Sequence, residues 1–414
     1  MNVLRSIIAS SALLFMITSA SAGGLYLREF GTPSQGSATA GSPVLAEDAS
    51  TAFGNPAGVF KLESDAETMV TGLFLHSSTK FSADKNNTVE GNNGGDAGGN
   101  IVGGAFYHAR KLDDKWGVTV ALNSLSGSAL DFDDGFYGRY TGDEVDLLTV
   151  TLATSLAYKV NEELSVSFGL AAIYGQLELE AAIPKLTGGT PTPDTDGRAK
   201  IKDGDDYDFT PTASLLWQAA DDWRFSLGYI GENTLRFNSD LDLKFAAGVG
   251  PDDIDTNVKI KIPQTLVAGG MHEVNNKLSL LARLAWEDWS TLESVPITTG
   301  KGGGEIPLKW DDVWSISLGY RYKNNDRWTT YAGIAFDSDP TEADDRVSIL
   351  PADRQVRYAA GFTYKIDAQR QIGSTLTYID LGSAKTNNEN AGGTFSGKYS
   401  TNELYILGVN YNWR

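Results

Sequence analysis

His76, His108 and His272 are the first residues to test for chemistry. They are not spaced as metal ligands, and no H-E-x-x-H is present. A lipase-type outer-membrane enzyme needs a serine paired with a histidine, and nothing here pairs one with these three. The acidic runs "DFDDG" (131–135) and "KDGDDYD" (202–208) do not complete a calcium-loop spacing, so they read as solvated loop edges. "GNNGGDAGGN" (91–100) has no strand-to-helix context and is a mobile loop rather than a phosphate cradle. The residues therefore predict no enzyme, no metal and no cofactor. A formal net charge of -19 also speaks against nucleic acid as a partner.

The elements that would carry any other function begin with a targeting segment. Arg5 supplies a basic start, Ile7 to Ile17 is a short apolar run, and Ala20–Ala22 reads A-S-A. That is the pattern of a signal peptide over 1–22. No later run of 18 apolar residues exists, which excludes a transmembrane helix but not a barrel. With no cysteine, a secreted chain must hold itself by core or by sheet closure. Forty-five glycines with 9 Trp, 17 Tyr and 17 Phe lean towards β-structure.

Alternation of period two is the strongest pattern. In "WSISLGYRY", Trp314, Ile316, Leu318, Tyr320 and Tyr322 share one face. Ser315, Ser317, Gly319 and Arg321 share the other. "LSVSFGLA" (164–171), "RYAAGFTYKI" (357–366) and "LYILGVNYNW" (404–413) repeat the design. The opposite face is small and polar, and aromatics collect at strand ends, as on a membrane barrel. Short turns at 111–115, 160–163, 219–222, 274–277, 323–326 and 366–369 alternate with long polar loops, roughly 82–98, 128–145, 182–204, 238–257, 293–308, 338–354 and 383–399, so that the sixth strand is expected to start near 205. This spacing predicts fourteen strands within a 65–414 barrel: an all-β, 14-stranded antiparallel transmembrane β-barrel of the bacterial outer membrane. The closed edge predicts a monomer.

Such a lumen is too wide for its own side chains to fill. Residues 23–64 are the substantial non-strand segment available, so they are predicted to form an N-terminal hatch of short helical turns. Within it, Asp48 is placed to cap a turn over Ala49–Phe53, and Gly54 to end it left-handed. Asn55, held extended by Pro56, then caps a second turn.

These features together resemble the FadL family of outer-membrane transporters, which includes TodX-type hydrocarbon transporters. Asn55-Pro56-Ala57 is similar to the family's plug hallmark, and "GRY" (138–140), "IPQTLVAGG" (262–270), "WEDWS" (286–290), "WDDVWSISLGYRY" (310–322), "WTTYAGIAFDSDP" (328–340) and "LPADR" (350–354) follow in the family's order. The resemblance implies passive uptake of long-chain fatty acids or related hydrophobic molecules across outer-membrane lipid and lipopolysaccharide. Its implied steps are loop capture, lumenal binding, hatch rearrangement and lateral exit through a kink in the third strand, for which Gly117 and Gly127 are candidates. An apolar solute gains about 0.8 kcal/mol per buried methylene, so it needs an apolar path with weak exits. Leu25, Phe30, Val44, Leu45, Phe53, Val59 and Phe60 are candidates to line it. The family's basic residue near the end of the fifth strand is missing from "AIYGQLELE" (172–180), which leaves Arg139, Lys309 and Arg321 as candidate carboxylate partners. An aromatic-hydrocarbon channel and, from another class, a general porin are the alternatives.

Overall fold

The computed structural model describes residues 28–124, 127–185, 190–245, 248–249, 254–300 and 302–414. The proposed signal peptide and Leu25 lie outside them. Fourteen antiparallel strands follow in chain order and close edge to edge. They begin with β1 (Ala66–Ala83), β2 (Asn100–Lys111) and β3 (Trp116–Asn123, continued by Gly127–Asp131). Next come β4 (Glu144–Lys159), β5 (Leu164–Ile183), β6 (Gly197–Ala220) and β7 (Trp223–Ile230, continued by Asn233–Phe245). β8 (Ile254–Ile262, continued by Thr265–Glu273), β9 (Leu278–Glu287, continued by Ser294–Thr299) and β10 (Gly302–Pro307, continued by Val313–Lys323) are followed by β11 (Trp328–Asp337). β12 (Gln355–Lys365), β13 (Arg370–Asp380) and β14 (Gly393–Trp413) complete the wall. β14 pairs with β1 from Thr68↔Trp413 to Ala83↔Gly397, so no wall edge is left open there.

The two faces separate as lipid demands. Trp314, Ile316, Leu318, Tyr320 and Tyr322 of β10 are exposed, while Ser315, Ser317 and Arg321 are buried. Phe168 is 68% exposed, whereas its neighbour Ser167 is 2% exposed. A polar interior is buried here because something fills the lumen, and residues 28–65 do so.

Several strands run further than alternation of apolar residues predicts. β6 starts at Gly197 rather than near 205, and the predicted loops at 238–257 and 293–308 are largely strand hairpins. The reason is a change of solvent. Beyond the lipid layer an outward side chain meets water, so strands continue with polar outer faces, as Lys200 and Lys202 show around the inward Ile201.

The wall is interrupted at β3. Its ladder with β2 covers Phe106–Lys111 against Gly117–Leu122. Gly127–Asp131 pairs with β4 alone among the described residues. The register against β4 shifts by one residue between Asn123↔Thr151 and Gly127↔Leu148. Gly117 lies inside the regular ladder, and Gly127 starts the segment beyond the register shift.

Candidate functional site

The hatch is built from three short turns. Pro33–Ser37 and Pro56–Lys61 are 3-10 turns, and Thr51–Gly54 is one turn of α-helix. Pro33 and Pro56 each sit at a helix start, where the missing N–H costs nothing. The Asp48 carboxylate accepts from the Ser50 N–H at 2.9 Å, but Ser50 and not Asp48 is the residue before the helix. Gly54 is helical rather than left-handed; extended Asn55 (φ -165°, ψ 93°) ends the turn instead. What Gly54 supplies is space, since a Cβ there would lie 2.4 Å from the Ser42 carbonyl oxygen.

Asn55 ties the hatch both to itself and to the wall. Its Oδ1 accepts from the Ala57 N–H at 3.2 Å and from Ser214 Oγ at 2.6 Å. Its Nδ2 donates to the carbonyls of Pro43 at 2.9 Å and Leu215 at 3.0 Å. Ser214 and Leu215 belong to β6, and Ser165 of β5 donates to the Ala57 carbonyl at 2.8 Å. Pro56 and Ala57 are buried beside it. On the far side, Gly333 of β11 lets the first turn press close, for a Cβ there would sit 2.2 Å from the Ser37 carbonyl oxygen.

The hatch's apolar side chains meet the wall. Phe30 and Phe53 pack edge to face, 4.9 Å between centroids, against Met69, Ala105 and Tyr107. Val44 and Leu45 pack on Leu216, Met271, Leu281 and Tyr331, while Val59 and Phe60 meet Ala109 and Ala157.

The largest apolar cluster lies outside the hatch, among the loop-side ends of the strands. Val145 and Leu147 of β4, Leu177 and Leu179 of β5, and Val258 and Ile260 of β8 face one narrow cavity. Its whole lining is aliphatic. The signal for these residues is a reversal of alternation. Asp146, Glu178 and Lys259 point out while their apolar neighbours point in. Phe132 and Phe136 stack at 3.9 Å beside Phe81, Phe395 and Tyr399 in the same cluster.

The three candidate carboxylate partners all hold protein carboxylates. Arg139 is buried, pairs with Asp196 at 2.8 Å, and donates to the carbonyls of Glu90 and Phe136. It staples loops together. Lys309 is exposed and pairs with Asp345 at 2.6 Å. Arg321 pairs with Glu47 of the hatch and lies 3.6 Å from Glu273, near the short-turn end. None of the three lines the aliphatic cavity. A different set of cations gathers where the start of the hatch meets the wall, Arg28 of the hatch with the buried Arg283 and Arg357; no motif in the sequence singles these out.

Asp143, just before β4, adds a pH dependence to the outer cap. Its Oδ1 is shut off from solvent without a hydrogen-bond partner. Burial first, then the nearby Glu180 carboxylate, push its carboxyl up to about 6. A raised carboxylate favours the folded cap below its ordinary value of 3.8, and this contribution is lost as pH rises through about 6. With solvent screening of a half-buried group allowed for, the effect is on the order of 1 kcal/mol. Hydrogen exchange across 132–143, corrected for intrinsic rates, should be slower at pH 5 than at pH 7.5. Asp143→Asn should remove that difference; a difference that persists in the variant assigns it to another group.

Comparison with known proteins adds the following. The family described as outer membrane protein transport protein (OMPP1/FadL/TodX) matches residues 13–414. The long-chain fatty acid transport protein of Escherichia coli O6:H1 is 23% identical over 436 residues, covering 97% of this chain and 96% of its own. The crystal structure of a Pseudomonas aeruginosa FadL homologue superposes with a TM-score of 0.85 at 18% identity, covering 94% of this chain and 99% of that one. The Ralstonia pickettii toluene transporter TbuX superposes with a TM-score of 0.69 at 15% identity, covering 93% and 98%.

Proposed function

We propose, for a chain that belongs to the outer membrane protein transport protein family (OMPP1/FadL/TodX), that it carries long-chain fatty acids or related hydrophobic molecules passively into the periplasm. The protein is an outer-membrane β-barrel and not an enzyme. The observation that carries the reading is a wholly aliphatic cavity directly outside a hatch that is tied to the wall by hydrogen bonds. The first holds an apolar solute, and the second is a stop that can be undone without breaking the barrel. The substrate class rests on the similarity to the Escherichia coli fatty acid transporter.

In this reading the long loops take solute from the lipopolysaccharide surface and pass it to the aliphatic cavity. Each methylene buried there contributes about 0.8 kcal/mol, so a long chain is retained without specific polar contacts. Movement of the Asn55-Pro56-Ala57 segment then frees the lumen. The interruption between β2 and β3 supports a sideways exit, because bilayer is the better solvent for such a molecule. The closed β1–β14 seam supports a monomer.

A general porin is the rival to exclude. In a planar bilayer the intact protein should show little steady conductance, because residues 28–65 occupy its lumen. Large, steady ion conductance from the intact chain would favour the porin.

A further inference from the structure

Resting on that uptake reading, we propose that the lumen reads the carboxylate of an amphiphilic ligand at three buried guanidinium groups, Arg28, Arg283 and Arg357, and that this carboxylate takes the place of Glu29. Arg28 and Glu29 belong to the hatch, Arg283 to β9 and Arg357 to β12. Arg28 pairs with Glu287, and its Nη1 lies 2.8 Å from Asp337 Oδ1. Arg357 pairs with Asp337 and, through Nε, with Glu29 Oε1 at 3.0 Å. Arg28 and Arg283 both donate to Ser315 Oγ, each at 3.1 Å.

Arg283 is the unusual member. It is 7% exposed, and among the described residues no carboxylate comes within ion-pair distance of it. A buried cation held by one hydroxyl has its desolvation cost uncompensated, so it favours an arriving anion.

Charge balance decides how that anion enters. Arg28, Arg283 and Arg357 face Glu29, Glu287 and Asp337, so the cluster is neutral. A fourth carboxylate would leave a buried negative excess; exchange for one already present would not. Glu287 and Asp337 are fixed in strands. Glu29 is on the hatch and can leave without unmaking the wall.

The surroundings fit an amphiphile. Arg28, Glu287, Asp337 and Arg357 line a cleft whose other walls include Trp289, Trp310 and Val313. Those three belong to the same apolar cluster as the aliphatic cavity. Asp353 also borders the cleft, but its oxygens accept from the N–H groups of Arg354 and Ala384. A chain lying along this cluster can therefore set its carboxylate among the guanidinium groups. In doing so it releases Glu29 and loosens the start of the hatch, which a neutral molecule of equal length does not do.

The test compares dissociation constants of oleate and methyl oleate for the purified full chain at pH 8, in wild type, Glu29→Gln and Arg283→Gln. Heat-dependent gel migration confirms that each variant keeps a folded barrel. Glu29→Gln removes the competing carboxylate and should tighten oleate roughly tenfold, with methyl oleate unchanged. Arg283→Gln should weaken oleate by a similar factor and again spare the ester. Equal effects on both ligands, or no effect of either variant on oleate, overturn the carboxylate exchange while leaving hydrophobic uptake standing. Wild-type protein that binds neither ligand would remove the uptake reading itself.

Discussion

Asn55→Ala will turn the closed barrel into a leaky one. The side chain serves four partners at once: the carbonyls of Pro43 and Leu215, the Ala57 N–H and the Ser214 hydroxyl. It is 2% exposed, so water cannot readily replace it. A buried polar group left without a partner costs about 1–3 kcal/mol, and more than one is orphaned here. The closed hatch should lose roughly 3–5 kcal/mol, which raises the fraction of open hatches by about two to four orders of magnitude. The β-ladders are untouched, so the barrel itself should assemble. Planar-bilayer conductance should rise strongly, and residues near 55 should become cleavable by protease. Pro56→Ala acts only by freeing the backbone, worth about 0.4–1 kcal/mol, so its leak should be much smaller. Conductance of Asn55→Ala equal to wild type would show that this anchor does not hold the hatch.

Leu177→Asp should abolish most uptake of hydrophobic solutes. Leu177 is buried in the aliphatic cavity, where no cation lines the wall to neutralise a new carboxylate. The carboxylate will hold water, and an arriving solute must strip that water before it can bind. Desolvation of a polar group costs about 1–3 kcal/mol by mutational measures, and a charge costs more. Uptake should fall at least roughly tenfold. Leu177→Met conserves volume and apolar character, and should retain near-normal uptake. The readout is transport of a labelled solute by cells that carry each variant at matched surface level. Uptake by Leu177→Asp equal to that by Leu177→Met would mean that solutes pass elsewhere.

The wall was legible in the sequence because lipid imposes one rule on every strand. An outward Ile316 or Leu318 beside an inward Ser315 or Ser317 can be read with no knowledge of neighbours. The hatch was legible by elimination, and the Asn55 cap follows from local backbone chemistry. The end of the preceding turn was misread: Gly54 is there for its closeness to Ser42, a tertiary contact that no local rule reports. The aliphatic cavity was hidden for a related reason. Val145, Leu147, Leu177 and Leu179 alternate like the membrane strands but point the other way, because their outward neighbours meet water. Direction becomes visible only once the lipid boundary along each strand is known. The guanidinium cluster was the least visible, since Arg28, Arg283 and Arg357 come from distant segments and share only the space they meet in.

The central claim is that hydrophobic molecules enter the cell through this barrel. The direct measurement is initial uptake of labelled oleate and labelled toluene by cells with the gene deleted and by the same cells carrying it again. The account predicts that uptake of at least one of these solutes falls on deletion and returns on complementation, while entry of small hydrophilic solutes is unaffected. Uptake of every apolar solute tried that stays at the wild-type rate after deletion would contradict it.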